Sequence, residues 1–105
     1  MNQGHFERAR GAFVAYLGDY PSGRLSVEAE LGLLQALVGV GDHGAVEALA
    51  ARLQEDVRMG SRRGEILRLR AENLVWLNRC DEAMALASEL GGRAGADVRR
   101  ACRRK

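Results

Sequence analysis

Apolar residues recur every three or four positions along most of the chain, which is the period of amphipathic helices. The pattern predicts five helices, at about residues 5–18, 24–40, 43–58, 62–77 and 81–90, and a short capping helix at about 96–104. A turn cluster at Asp19-Tyr20-Pro21-Ser22-Gly23 ends the first helix. Because the chain has one proline and almost no apolar-polar alternation typical of strands, it is predicted to be all-α.

Short turn signals recur at a fixed spacing. Gly4, Gly41 and Asn78 each begin one of them, and consecutive signals are 37 residues apart. Five positions after each lies a small apolar residue, where two helices must approach closely: Ala9, Val46 and Ala83. This arrangement is typical of an αα-hairpin present in three copies.

The second helices of these copies resemble the tetratricopeptide repeat family. The first copy matches the family pattern with Gly4, Phe6, Ala9, Phe13 and Pro21. The other copies retain fewer of its positions: Gly41, Val46 and Ala50, and then Asn78, Cys80, Ala83 and Ala87. The period is three residues longer than the family's usual 34. The resemblance covers nearly the whole chain and implies a right-handed αα-hairpin solenoid similar to the divergent repeats of bacterial envelope-associated proteins.

The resemblance also implies a binding surface. In such solenoids the first helix of each pair lines the concave face, and matching the pattern selects Glu28, Leu31, Gln35, Val38, Glu65, Arg68, Glu72 and Val75. The family's clamp for a terminal carboxylate needs Lys and Asn where this chain has Leu31 and Gln35, so that activity is not implied. The expected partner is another protein or peptide of unknown identity. Ion pairing along the helix is the alternative role of Glu65, Arg68 and Glu72.

The chain length of 105 residues predicts one domain, with a core of Leu, Ala and Val because only 5% of its residues are aromatic. The first helix corresponds to the second helix of a hairpin, and its apolar face has no partner helix before it. That face comprises Phe6, Ala9, Phe13, Tyr16 and Leu17. We therefore expect the chain to be the C-terminal fragment of a longer protein, or a homodimer that covers this face.

No motif for catalysis is present. The chain has no Ser, His and Asp order of a hydrolase, no phosphate-binding loop and no HExxH helix, and His5 and His43 lack ligands at metal-binding spacing. We expect no enzymatic activity, cofactor or metal. Gly91-Gly92-Arg93-Ala94-Gly95 is interpreted as a linker, and Trp76 is predicted to be buried against the following turn.

Charge is distributed unevenly, with a net −4 up to Val57 and +6 from Arg58 onward, which together give +2. The basic run of Arg99, Arg100, Arg103, Arg104 and Lys105 can bind phosphates. No aromatic residues are interleaved with it for stacking, so a solvated helix end is favoured over nucleic-acid binding. No apolar run is long enough to span a membrane.

The two cysteines are predicted to lie close together. If the last two helices run antiparallel about a turn near Gly92, Cys80 lies opposite Cys102. The alternatives are a disulfide, which implies an oxidising compartment such as a bacterial periplasm, and two buried thiols. The sequence thus predicts a non-enzymatic protein-interaction module of a bacterial, envelope-associated protein. The alternative is a cytoplasmic regulator whose basic C-terminus contacts nucleic acid.

Overall fold

The computed structural model describes residues 2–104. Within this range the chain forms six α-helices and one 3-10 segment, with no strand. The elements are α1 (Asn2–Asp19), α2 (Ser26–Val40), α3 (His43–Leu53), the 3-10 segment Val57–Arg62, α4 (Arg63–Trp76), α5 (Cys80–Leu90) and α6 (Gly92–Arg103). The prediction of an all-α protein is confirmed.

The chain divides into two compact units. The N-terminal unit ends at Val46, and the C-terminal unit begins at Glu47, so the boundary lies within α3. In the N-terminal unit α1 packs along α2. In the C-terminal unit α5 packs against both α4 and α6, and α4 also contacts α6.

Two phenylalanine rings on α1 fit against two glycines on α2. A Cβ atom added to Gly39 would overlap the ring of Phe6, and one added to Gly32 would overlap the ring of Phe13. The two phenylalanines are seven residues apart, and so are the two glycines. The earlier phenylalanine faces the later glycine, so the two helices run in opposite directions. The helices are therefore antiparallel, and the glycines allow them to approach closely. The predicted apolar face of the first helix consists entirely of partly buried residues.

Replacing both Gly32 and Gly39 with alanine should destabilise the protein. Alanine normally favours a helix over glycine by about 0.5–1 kcal/mol. Here each added methyl group must displace a phenylalanine ring, which costs about 1–3 kcal/mol at each site, exceeds that gain and lowers the melting temperature followed by circular dichroism. The control is Gly11→Ala with Gly44→Ala, because a Cβ at either position has no neighbour within 4 Å. A Gly32/Gly39 variant that melts at or above the temperature of this control would contradict the packing.

The turns between α2 and α3 and between α4 and α5 share one hydrogen-bond pattern. Gly41 and Asn78 have positive φ angles of 76° and 64°. In each turn, this residue and the next donate their N–H groups to carbonyls three and five residues earlier: Gly41 to Val38, Asp42 to Leu37, Asn78 to Val75 and Arg79 to Leu74. This is the Schellman motif, and the two copies are 37 residues apart. Gly4 differs, because it lies within α1 and forms no turn.

Burial follows the same spacing. The small apolar residues Val46 and Ala83 are both fully buried, as predicted for points of close helix approach. In three other pairs of residues 37 positions apart, both members are buried: Leu37 and Leu74, Leu49 and Leu86, and Ala50 and Ala87. Residues at equivalent positions around the two turns are thus buried alike.

The third helix ends at Leu53, five residues before its predicted end. The carboxylate of Asp56 accepts a hydrogen bond from the backbone N–H of Arg58 at 2.9 Å, which begins the separate 3-10 segment. The side chain of Arg58 also binds this carboxylate and lowers the pKa of Asp56 to about 2. Gly60 lies inside the segment with a φ of 51°. The N-cap position of α4 is Arg62.

The sixth helix begins at Gly92, four residues before its predicted start. The glycine-rich stretch is therefore not a linker, because most of it forms the first turn of α6. Gly91 makes the turn with a φ of 65°. Gly95 is buried, and a Cβ added to it would lie 2.5 Å from the carbonyl oxygen of Ala87 on α5. A side chain at this position would separate the two helices.

Candidate functional site

A disulfide joins the beginning of α5 to the end of α6. Cys80 is the first residue of α5 and Cys102 the second-last residue of α6. Their Cα atoms are 5.8 Å apart, within the range that a disulfide spans. The predicted proximity of the two cysteines is confirmed, and of the two alternatives left open by the sequence, the disulfide is the one present. The proximity follows from the antiparallel arrangement of two helices of similar length about the turn at Gly91.

The helix that the disulfide holds has little apolar area in the core. The core of the C-terminal unit consists of Leu67, Ala71, Leu74, Val75, Ala83, Leu86, Ala87 and Val98. Val98 is the one member of this set that α6 contributes, and Ala101 and Cys102 pack partly buried against the set. Because this apolar area is small, we expect the disulfide and the close contact at Gly95 to contribute to holding α6 in place.

A cleft of about 290 Å³ lies between α4 and α6. Its lining residues are Glu72, Val75 and Trp76 from α4 and Asp97, Val98 and Ala101 from α6. Val75 and Val98 are 8% and 2% exposed, so they belong to the core as well as to the cleft. Each helix thus contributes apolar side chains and one carboxylate to the same concave surface.

Trp76 is 70% exposed, and the prediction that it is buried is wrong. The buried residues Leu67, Ala71 and Leu74 define the face of α4 that contacts the core. Trp76 follows Leu74 by two positions, which is about 200° around an α-helix, so its side chain lies away from that face. The indole is instead largely exposed beside the cleft.

The two cleft carboxylates form ion pairs on their own helices. Arg68 lies 3.2 Å from Glu72, and Arg100 lies 2.9 Å from Asp97. All four side chains are about half exposed, and such pairs contribute at most about 1 kcal/mol. Neither arginine lines the cleft. A ligand charge that enters the cleft can therefore replace either pair at little cost.

The structure brings two of the eight residues predicted for the binding surface, Glu72 and Val75, into this cleft. The other predicted residues of α4, Glu65 and Arg68, are exposed. On α2, Glu28, Gln35 and Val38 are exposed and Leu31 is partly buried, and Glu28 lines a separate hollow of about 280 Å³ in the N-terminal unit. A binding face that includes both helices stays a prediction.

Sequence reasoning missed the residues of α6 that line the cleft, which are Asp97, Val98 and Ala101. The spacing of Ala94, Val98 and Ala101 is that of one helix face, and it was the available signal that α6 packs on a neighbour. Interpreting the preceding glycines as a linker hid this signal, because it placed the start of the helix after Ala94.

A second polar cluster, around Arg70, has a structural role. The guanidinium of Arg70 donates two hydrogen bonds of 2.8 Å to the carboxylate of Glu47 and one of 2.7 Å to Oε1 of Gln54. Glu47 raises the pKa of Arg70 through these bonds. The charged side chains are 17% and 13% exposed, so their hydrogen bonds replace much of the water that each would otherwise bind. The cluster ties α3 and the residue that follows it to α4.

Replacing Arg70 with methionine should destabilise the protein by about 1–3 kcal/mol, because Glu47 would remain partly buried without its partner. Urea denaturation measures this difference in the free energy of unfolding. The control is Arg68→Met, which removes an exposed pair and should cost at most about 1 kcal/mol. Equal losses in the two variants would show that the Arg70 cluster contributes no more than a surface pair.

Within residues 2–104, neither a candidate metal site nor a membrane span is found. In this range no three His, Cys, Asp or Glu side chains come together in a way that could hold a metal ion. No helix among these residues has the length and apolar character needed to cross a membrane. Of the basic run, Arg100, Arg103 and Arg104 are exposed, and Lys105 lies outside the described residues.

Comparison of the chain with protein-family models, with curated proteins and with solved structures found no match in any of the three. The function of the protein is therefore proposed from its own fold and from the cleft between α4 and α6.

Proposed function

We propose that the protein is a non-enzymatic module that binds another protein through the cleft between α4 and α6. The observation that carries this proposal is the exposure of Trp76 beside the apolar lining of the cleft. Tryptophan is over-represented among the residues that dominate binding energy at protein interfaces. When a partner covers an exposed indole and the concave apolar surface next to it, the burial of both stabilises the complex.

The proposal includes a tetratricopeptide-like architecture. Two Schellman turns 37 residues apart and the matching burial of the residues around them support a repeated helix-turn-helix sequence, and in the second copy α4 packs against α5. In such repeat proteins a terminal element with a polar outer face covers the last hairpin. The arginine-rich α6 fits this role, since Val98 and Gly95 are its buried residues.

The proposed location is the envelope of a bacterium, on its periplasmic side. The disulfide supports it, because such bonds persist in oxidising compartments. The alternative is a cytoplasmic regulator that contacts nucleic acid through the basic C-terminus. Arg100 is already paired with Asp97, and α6 contains no aromatic residue for stacking on bases. Binding to duplex DNA with a steep salt dependence would support this alternative over the proposal.

A homodimer through α1 is a further proposed interaction. Val14 and Leu25 of the N-terminal unit are more than half exposed. Hollows of about 280 and 450 Å³, to which α1 contributes residues, leave room for side chains from a second copy. Light scattering should then give twice the mass of the chain, and a monomer at all concentrations would exclude this contact.

Site-specific photo-crosslinking tests the binding function. A benzoylphenylalanine in place of Trp76 should crosslink to a discrete protein from a periplasmic extract. The control places the same group at Met84, an exposed residue of α5 that does not line the cleft. Crosslinking at residue 76 and not at residue 84 supports the proposal. The same products from both positions, or none from residue 76, would contradict it.

A further inference from the structure

We propose that the cleft between α4 and α6 receives an arginine side chain of the partner protein. This inference rests on the proposed function and specifies its partner. The aliphatic part of the arginine packs against Ala101 and the remaining exposed surface of Val75, and its guanidinium lies among Glu72, Asp97 and Trp76. The partner is thus identified by chemistry, as a segment that presents arginine beside aliphatic residues.

The charged residues that line the cleft are acidic, whereas the unit that contains the cleft has a net positive charge. Residues 47–105 include 13 basic and nine acidic residues. Among the six residues that line the cleft, two are acidic and none is basic. Glu72 and Asp97 come from different helices, so a cation between them is approached by a carboxylate from each wall. Both carboxylates pair with half-exposed arginines outside the lining, so within the cleft they can exchange these partners for a cationic group.

The apolar part of the lining selects against a small hydrated cation. Val75, Val98 and Ala101 have no hydrogen-bonding group in their side chains and cannot replace the water around an inorganic ion. An arginine has an aliphatic stem that covers such a surface while its head group pairs with the acids. A neutral aliphatic side chain fits less well, because it would remove water from two carboxylates without offering a donor.

The indole of Trp76 favours arginine over lysine. A guanidinium is planar, stacks on aromatic rings and donates paired hydrogen bonds to a carboxylate, whereas an ammonium is a compact and strongly hydrated charge. The cleft volume of about 290 Å³ is at the lower limit of ligand pockets, which suits one long side chain. The ion pairs of Glu72 with Arg68 and of Asp97 with Arg100 are exposed, so each carboxylate can exchange its present partner for the guanidinium of the ligand.

Trp76 is the single tryptophan of the chain, so its fluorescence reports directly on the cleft. The probe is the capped peptide acetyl-Ala-Leu-Arg-Leu-Ala-amide, titrated at low ionic strength. The matched peptide has citrulline in place of arginine, which keeps the shape and removes the charge. We expect the arginine peptide to change the Trp76 emission saturably and to bind about tenfold more tightly than the citrulline peptide.

Two double variants identify the source of this preference. Glu72→Gln with Asp97→Asn should reduce the tenfold preference to about twofold or less. Glu55→Gln with Glu89→Gln removes the same number of charges away from the cleft and should retain the preference. Equal binding of the two peptides to the wild type would overturn the arginine inference and leave peptide binding by the cleft intact. No emission change with either peptide would overturn the inference, and the crosslinking at residue 76 would then decide the proposed function separately.

Discussion

Replacing Cys80 and Cys102 with serine should lower the melting temperature by about 12 °C or more. The disulfide closes a loop between residues 22 positions apart, and its loss restores about 3 kcal/mol of chain entropy to the unfolded state. Compensation from the core is small, because Val98 is the one buried aliphatic residue of α6. Differential scanning calorimetry measures the unfolding transition. In the serine variant we expect α6 to detach from α4 and α5 at a lower temperature than the rest of the C-terminal unit unfolds.

Reductant provides the matched control for the serine variant. It should lower the melting temperature of the wild type by a similar amount and leave that of the variant unchanged. A variant that melts at the temperature of the oxidised wild type would show that contacts other than the disulfide hold α6. Since α6 forms one wall of the cleft, the variant should also lose the arginine-dependent change in Trp76 fluorescence.

Replacing Gly95 with valine should destabilise the C-terminal unit by about 2–3 kcal/mol. The new side chain would overlap the carbonyl oxygen of Ala87. This atom belongs to the backbone of α5 and cannot move aside by a rotamer change, so α6 must move away. Thermal denaturation measures the loss of stability, and the Trp76 titration measures the associated loss of peptide binding.

The control for this variant is Gly64→Val on α4. A Cβ at Gly64 has no neighbour within 4 Å, so the substitution should leave stability unchanged or raise it slightly. If Gly95→Val melts at the same temperature as Gly64→Val, α5 and α6 do not depend on a close approach at Gly95. The proposed geometry of the cleft would then be wrong.

Features that depend on neighbouring residues could be predicted from the sequence. Helical periodicity gave the number of helices, and Gly41 and Asn78 both adopt the left-handed conformation expected at helix ends. The side chain of Asp42 accepts a hydrogen bond from the N–H of Ala45 at 3.2 Å, as expected for an N-cap. The proximity of Cys80 and Cys102 could also be predicted, because two antiparallel helices joined by a short turn bring them together, whereas the choice between a disulfide and two thiols stayed open.

Features that depend on contacts between distant helices could not be predicted. The cleft requires α4 and α6 to meet, although α5 separates them in the sequence. Whether the side chain of Trp76 is buried or exposed depends on which face of α4 is covered by α5 and α6. The early end of α3 depends on the competing turn at Asp56. The local sequence is compatible with both a longer helix and this turn, so it does not decide between them.

The central claim is that a disulfide-held cleft between α4 and α6 binds a segment of another protein. Its most direct test is a titration of the isotope-labelled protein with the arginine peptide, followed by the chemical shifts of backbone amides. We predict saturable changes at residues 72–76 and 97–101 in the oxidised protein and their loss after reduction. Changes confined to other helices, or changes at these residues that persist unaltered after reduction, would contradict the account.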